Sequence, residues 1–324
     1  MQKRSLKWGQ WSKGLFASFE RFTYYLLSKP IQAFILIFLG TFVPVVGVLG
    51  ILIAALVTLR KSVIEGGVLT LAASLPYAII FYFSDHYRSG VPVVMWTTVG
   101  VAILSNVLTW VFAILLRRQA NWSQLLQAAA LVGVLVISVI HMTYPNIADW
   151  WGTQLQAYTQ SLPRPWQAHL AANTDAQIET INVTRQYATG AVIVAILFNA
   201  LLQLLVARWW QVMFFQPRTL RHELQGIHLS RLAGGLFALS IVLSYLGNAV
   251  VLDIMPVMYV LFGVAGLSLI HYALNLMRSP TTWIWMWILY MAIIFSLPVS
   301  VVLIALLALF DSWFDLRKRM QKVM

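Results

Sequence analysis

Long apolar runs are the strongest constraint on how this chain can fold. Almost all of its charged residues are confined to the short stretches between eight such runs. A helix needs about 20 predominantly apolar residues to cross the hydrocarbon core of a bilayer, so runs of this length predict transmembrane helices. The runs are 31–59, 63–83, 91–116, 123–143, 187–207, 232–252, 255–277 and 281–310.

The charge composition supports a membrane location. Charged residues make up 10% of the chain, against about a quarter in a typical soluble domain. The net charge of +12 would indicate nucleic-acid binding in a soluble protein, but no RNA- or DNA-binding motif accompanies it. We therefore predict an all-α, polytopic membrane helix bundle of about eight to ten membrane segments in the bacterial cytoplasmic membrane, with no nucleic-acid partner.

The 22 Lys and Arg residues predict which side each loop faces. If every run crosses once, thirteen bases are cytoplasmic and nine are external, which is a weak bias. If 31–59 and 281–310 each enter and leave on the same face, nineteen are cytoplasmic, and only Arg88, Arg164 and Arg185 are external. Because Lys and Arg in short loops mark the cytoplasmic side, the second arrangement is predicted, with both termini in the cytoplasm.

Those two runs are accordingly predicted to be broken or re-entrant hairpins. In the first, Pro44 followed by Gly47 and Gly50 interrupts the helix, and each arm is then roughly 20 Å long, shorter than the core of about 30 Å. In the last run, the break is expected around Ser296-Leu297-Pro298. Irregular backbone at membrane depth is tolerated only where protein or a water-filled cavity covers it, so the break at Pro44 points to a cavity.

The rest of the chain divides around these membrane helices. Residues 1–30 predict a cytoplasmic amphipathic helix in the headgroup region, with basic side chains facing anionic membrane lipid. Residues 144–186 predict an extracytoplasmic loop with two amphipathic helices. Segments 31–143 and 187–316 hold the N-terminal and C-terminal membrane helices, and 317–324 is a basic cytoplasmic tail.

Signatures of catalysis are missing from the sequence. There is no HExxH, no P-loop and no GxSxG, and the six histidines are scattered. The absence of cysteine excludes disulfides, thiol catalysis and thiolate metal sites. We therefore predict that the protein is not an enzyme and has neither a cofactor nor a metal.

Polar residues inside the apolar runs are the candidate binding residues. They recur with small residues at spacings of three and four, which places each set on one helix face. Helix packing through small residues and amide hydrogen bonds is the preferred interpretation, and a substrate-lined cavity along the same faces is the alternative. The residues predicted to line such a cavity are Asn106, Asn199, Asn248 and His271.

Two acids complete the candidate site. A buried ionisable group inside a membrane is costly, and is by default a functional-site hypothesis. Glu65 follows Arg60-Lys61, and pairing with one of those bases at the interface is the preferred interpretation. Asp253 lies between two runs just before Pro256, where simple solvation is preferred.

Two stretches resemble the YybS-like family of predicted bacterial inner-membrane proteins. They are residues 59–67 (LRKSVIEGG) and 310–319 (FDSWFDLRKR). That family is distantly similar to the substrate-binding components of energy-coupling-factor transporters, which are helical bundles that hold a small molecule and dock on a separate ATP-driven module. The resemblance implies an inner-membrane location but no established reaction. The Ala-xxx-Ala docking pattern of those components is missing from the first run and occurs at Ala191 and Ala195.

Two classes of function follow from these patterns. Broken apolar segments and polar stripes are typical of the midplane sites of transporters, so the first prediction is a protein of transport or small-molecule-binding type with an unspecified substrate. The alternative is a non-transport scaffold that docks cytoplasmic or membrane partners through Asp311, Asp315 and Arg317. A binding protein depends on the intramembrane polar residues, whereas a scaffold depends on the C-terminal charges.

Overall fold

The computed structural model describes residues 17–83, 92–162, 174–215, 219–276 and 281–323. Every regular element in these ranges is an α-helix, which confirms the all-α prediction. The helices are α1 (Ala17–Ser28), α2 (Pro30–Gly40), α3 (Pro44–Arg60), α4 (Val63–Phe83), α5 (Pro92–Arg117), α6 (Trp122–Thr143), α7 (Ile147–Ser161), α8 (Thr174–Thr184), α9 (Ala188–Phe215), α10 (Thr219–Gln225), α11 (Arg231–Tyr245), α12 (Ala249–Leu276), α13 (Thr282–Phe295), α14 (Leu297–Phe314) and α15 (Leu316–Val323).

Some sequence predictions concern residues outside these ranges. The first 16 residues of the predicted N-terminal amphipathic helix are among them, as are Arg88 and Arg164, two of the three bases predicted to be external. The described part of the N-terminal segment is α1, which meets α2 at an angle of 109°.

Within the described residues, five helices are long and apolar enough to cross a membrane: α4, α5, α6, α9 and α12. The number becomes six if α1 and the sharply bent α2 are taken as one span. The chain is therefore a membrane protein with several helical spans, but the count of eight to ten segments is not confirmed. Helices α3, α11, α13 and α14 are apolar but shorter.

The run 232–252 is not the continuous helix that the sequence predicted. Helix α11 ends at Tyr245, and Gly247 has a φ of +77°, a left-handed conformation that glycine adopts at little cost. The Asn248 side chain then accepts a hydrogen bond from the N–H of Val251 at 3.1 Å, at the start of α12. As a result α12 begins earlier than predicted and contains both Asp253 and Pro256.

The two predicted breaks are present. Residues 41–43 separate α2 from α3. Pro44 is the first residue of α3, and the N–H at that position of a helix has no intrahelical acceptor, so proline loses no hydrogen bond there. Gly47 and Gly50 lie inside α3, so the interruption is shorter than expected. Ser296 separates α13 from α14. That each of these runs returns to the face it entered stays a prediction.

The chain divides into two compact units. The first contains α1 to α4, the part of α5 from Ala102 and the part of α9 from Asn199. Here α3 packs along α4, and α2 packs against both. The guanidinium of Arg117 donates to the carbonyls of Thr58 (2.7 Å) and Lys61 (3.0 Å) at the C-terminal end of α3, where helical carbonyls have no intrahelical donor.

The second unit is organised around α12. It contains α6 to α8, α11 to α15, most of α10 and the first parts of α5 and α9. Helices α6, α11 and α14 all pack against α12, and α11 also packs against α14. The fully buried rings of Phe237 and Phe262 stack at 4.3 Å between α11 and α12. Two polar clusters lie near opposite ends of α12, one at Asp253 and the other at Ser268.

Candidate functional site

A buried carboxylate lies at the end of the second unit that carries α7. Asp253, near the start of α12, is 2% exposed. Its Oδ2 is 3.0 Å from Nε2 of His141, in the last turn of α6. Its Oδ1 accepts a hydrogen bond of 2.7 Å from the N–H of Gly190, near the start of α9. Three helices therefore meet at one carboxyl group.

The prediction that Asp253 is solvated is wrong. Because α12 begins at Ala249, Asp253 lies one turn inside a packed helix instead of in a loop. Gly190 allows the close approach, since a Cβ there would lie 1.8 Å from the carbonyl oxygen of Asp253. The backbones of α9 and α12 can touch at this level only because position 190 has no side chain.

The surroundings of the carboxyl group compensate for its burial. The N–H of Gly190 is among the first N–H groups of α9, which have no intrahelical acceptor and form the positive end of the helix dipole. The imidazole of His141, whose side chain is 8% exposed, faces the other oxygen. Burying a charge is costly unless it is paired and hydrogen-bonded, and Asp253 has a partner at each oxygen.

Helix α7 is tied to the same end of the unit. The indole N–H of Trp151 donates to Oγ1 of Thr189 at 2.9 Å, next to Gly190 in the chain. Arg185 forms an ion pair of 2.7 Å with Asp149. The corner between α6 and α7 encloses an open notch of about 520 Å³, which begins two residues after His141. It is lined by Thr143, Tyr144, Pro145, Asn146, Ile147 and Trp150.

A second polar cluster lies in the first unit. Thr109 donates to Oε1 of Gln203 at 2.6 Å, and Nε2 of Gln203 donates to Oδ1 of Asn106 at 3.4 Å. Nδ2 of Asn106 lies 3.3 Å from the carbonyl oxygen of Ala73. Helices α4, α5 and α9 are thus joined by hydrogen bonds among buried side chains, as the helix-packing interpretation expects.

Asn199 belongs to the same cluster. Its Nδ2 donates to Oγ of Ser105 at 2.8 Å, so this amide also joins α9 to α5. The hydrogen bonds of Asn106 and Asn199 stabilise helix contacts within the unit. A role for either residue in lining a ligand cavity stays a prediction.

A third cluster lies at the other end of α12. Arg317, in α15, is 9% exposed and donates to the carbonyls of Gln225 and Ile227 and to Oγ of Ser268. Its Nε is 3.3 Å from Oδ2 of Asp311, which is also buried. Burial lowers the pKa of the Arg317 guanidinium, and Asp311 opposes that shift. The side chain joins α15 to α10, α12 and α14.

Three side chains in this region come close enough to hold a metal ion. Potential ligand atoms of His228, Asp311 and Asp315 lie within 4.8 Å of one another. Each carboxylate already has a basic partner, however: Arg317 for Asp311 and Lys318 for Asp315. The negative charge that would attract a cation is therefore neutralised, and the geometry fits an ion-pair network better than a metal centre.

The residues predicted to bind a ligand are divided between the two units. Glu65, Asn106 and Asn199 belong to the first unit, whereas Asn248, Asp253 and His271 belong to the second. Glu65 pairs with Lys61 at 2.7 Å, which confirms the predicted pairing with one of the two preceding bases.

Asn248 and His271, the other two predicted residues of the second unit, have hydrogen-bond partners in α12 or in the neighbouring α13. The Asn248 side chain accepts a hydrogen bond from the first turn of α12. Nδ1 of His271 lies 2.7 Å from the carbonyl of Leu267, one turn earlier in the same helix, and its Nε2 is 3.1 Å from the hydroxyl of Tyr290. Of the three predicted residues in the second unit, Asp253 alone joins three helices.

His141 and Gly190 were not predicted as site residues. One signal was available, because His141 is the single ionisable residue of the run 123–143, and an ionisable residue inside a membrane segment usually has a partner. No such signal marks Gly190. Comparison with protein-family models, with curated proteins and with solved structures gives no significant match.

Proposed function

We propose that this membrane protein is of transport or small-molecule-binding type and that Asp253 and His141 form the centre of its site. The supporting observation is the burial of an ionisable pair among apolar helices. Ionisable residues are rare inside membrane segments because they are costly there, and they mark ion and substrate pathways. A neutral side chain such as asparagine could also accept the hydrogen bond from the N–H of Gly190. Capping of α9 therefore does not explain why position 253 carries an acid.

The geometry suggests the chemistry of the ligand. Oδ1 of Asp253 is held by a backbone N–H, whereas Oδ2 is held by the side chain of His141, which can rotate away. A ligand with a cationic or N–H donor group would replace His141 at Oδ2 and leave the bond to Gly190 intact. The notch at the α6–α7 corner is the proposed approach, because it begins next to the last turn of α6.

The replacement Asp253→Asn tests this proposal. Asparagine retains Oδ1 for the N–H of Gly190 and has nearly the same shape, but it carries no charge. We expect a thermal-shift screen of the full chain in detergent with vitamins, nucleobases and lipids to raise the unfolding midpoint of the wild type with at least one compound. The shift should disappear in Asp253→Asn while the midpoint without ligand stays within a few degrees.

The matched control is Asp149→Asn, which removes a largely exposed carboxylate from the same end of the unit. We expect this variant to respond to ligand as the wild type does. A screen without any shift in the wild type, or an equal shift in Asp253→Asn, would contradict the proposal.

If the protein is instead a scaffold, the residues available to dock a partner differ from the three predicted from the sequence. Asp311 and Arg317 are buried against their own unit, so a docking surface at this end would be formed by Asp315 together with the exposed Lys318 and Arg319. Affinity purification in mild detergent tests it, since a scaffold should retain a stoichiometric partner. Loss of that partner on charge reversal at Lys318 and Arg319 would favour the scaffold over the binding protein.

We also propose that the protein lies in the bacterial cytoplasmic membrane, with both termini in the cytoplasm. The distribution of Lys and Arg supports this orientation, and the resemblance of residues 59–67 and 310–319 to the YybS-like family supports the location. The proposal assigns the protein a binding role without a catalytic step.

A further inference from the structure

An apolar groove runs along the second unit between α6 and α11, with α12 as its floor. Its volume is about 360 Å³. Buried side chains of α12, including Ile254, Met258 and Leu261, form the floor, and the largely exposed Leu131, on α6, and Leu236, on α11, form the two walls. From Ser230 to Leu243 it follows about 20 Å of α11 at 1.5 Å per residue.

The packing of the helices explains why this groove exists. Helices α6 and α11 each pack along α12, but within the described residues they have few contacts with one another. Small residues, Ala130 on α6 and Ala233 on α11, line the gap between them. Helices α6 and α12 are long and apolar enough to cross a membrane, so a gap in the apolar surface beside them would face lipid chains.

One end of the groove is polar. There Oγ of Ser230 donates to Oε1 of Gln127 at 2.8 Å and joins the two walls. Arg231 follows as the first residue of α11, and it is exposed. The first N–H groups of α11 add the positive end of a helix dipole. A cationic, hydrogen-bonding end therefore closes a groove that is otherwise almost entirely apolar.

We propose that this groove binds one acyl chain of an anionic phospholipid whose phosphate lies at Ser230 and Arg231. The length supports the assignment, because about 20 Å is enough for the chain of one leaflet, whose depth is about 15 Å. The positive charge of Arg231 favours an anionic headgroup over a zwitterionic one, because anionic lipids are attracted to basic residues at the membrane surface. The site is independent of the ligand proposed at Asp253.

Photo-crosslinking tests this site. The full chain is reconstituted with phosphatidylglycerol or phosphatidylcholine that carries a diazirine on one acyl chain, irradiated and digested, and the labelled peptides are identified. We expect labelling concentrated on the groove-lining parts of α6, α11 and α12, and several-fold stronger with phosphatidylglycerol. Arg231→Gln should bring the two lipids to equal labelling.

Two positions on α11 provide a matched pair of variants. Ala233→Trp fills the groove and should reduce groove labelling several-fold, and Leu236→Trp, at an exposed wall position, serves the same purpose if the first variant folds poorly. Gly235→Trp should have no effect, because position 235 does not line the groove and a Cβ there has no neighbour within 4 Å. Labelling spread evenly over α13 and the other exposed apolar helices, equal labelling by both lipids in the wild type, or equal losses in Ala233→Trp and Gly235→Trp would overturn the proposal.

Discussion

At Gly190 the absence of a side chain lets two backbones and a carboxylate meet. We expect Gly190→Ala to lower the free energy of unfolding by about 3 kcal/mol, the upper part of the range for overpacked sites, because its Cβ would overlap a backbone carbonyl at 1.8 Å. The measurement is unfolding of the purified protein in mixed micelles, followed by circular dichroism.

Gly235→Ala is the control for this variant. Its Cβ meets no other atom within 4 Å, and Ala has the higher helix propensity, so the change should be within about 0.5 kcal/mol. Equal stability of the two alanine variants would show that α9 and α12 do not approach as closely at Gly190 as described.

Single residues also show why the site was only partly predictable. The sequence identifies Asp253 as an unusual acid. Its burial could not be predicted, because hydropathy places it just after the apolar run 232–252 and not inside a helix. Its partner His141 is 112 positions away in the chain. Pairing at that separation is decided by helix packing, which leaves no local pattern in the sequence.

At the scale of an element, the corner between α14 and α15 depends on charge. Asp315 ends α14 in the left-handed conformation, with φ 50° and ψ 58°, which Asp and Asn tolerate better than most residues. A hydrogen bond from the Lys318 ammonium holds the pKa of the Asp315 carboxyl below its ordinary value of 3.8. Folding therefore favours the ionised carboxylate.

This shift predicts how stability depends on pH. A carboxyl group with a lowered pKa in the folded state contributes stability above its ordinary value of 3.8, and that contribution is lost as the pH falls through the folded-state pKa. We expect Asp315→Asn, which retains the backbone preference, to be slightly less stable than the wild type near neutral pH. The difference should shrink as the pH falls below 3.8 and vanish once the pH is below the folded-state pKa.

Unfolding midpoints measured across this pH range test the prediction. The difference should be small and should shrink with added salt, because the Lys318 side chain is exposed. Lys318→Gln should reproduce the loss near neutral pH. A difference between Asp315→Asn and the wild type that persists at low pH would assign the effect to backbone conformation instead of charge.

Helix boundaries divide into those that local chemistry determines and those that it does not. The breaks at Pro44 and Ser296 were predictable because the proline next to each break lacks the N–H that would bond to the preceding helical turn. The boundary between α11 and α12 was not, because residues 246–252 are mostly apolar and the left-handed conformation of Gly247 leaves hydropathy unchanged. Hydropathy therefore located the membrane segments but misplaced Asp253 relative to α12.

At the scale of the whole molecule, orientation in the membrane is the property that can be tested most directly. The chain has no cysteine, so one introduced thiol reports one position. With both termini in the cytoplasm, Ser62→Cys, between α3 and α4, should react with a membrane-impermeant maleimide only after the membrane is permeabilised. Ser89→Cys, between α4 and α5 in the chain, should react in intact cells.

Each variant is the control for the other, and a permeant maleimide confirms that both thiols are reactive. Labelling of Ser62→Cys in intact cells would contradict the hairpin assigned to 31–59 and, with it, the predicted side of every later loop.

The class of the molecule was predictable because burial in lipid requires long apolar helices. The number of spans was not, because α3, α11, α13 and α14 are apolar enough but too short to count by length.

Pro256 has a mechanical consequence for α12. Since proline has no N–H, the carbonyl of Leu252 lacks its usual helical donor, and the hydrogen-bond ladder is weakest one residue before Asp253. This turn is therefore where α12 would bend most easily, between its first turn and a half and the long segment reaching Ser268. Bending there would move Asp253 relative to His141 and Gly190 without disturbing Arg317 at the other end. In hydrogen exchange, residues 249–255 should therefore open as one group, faster than residues 257–268.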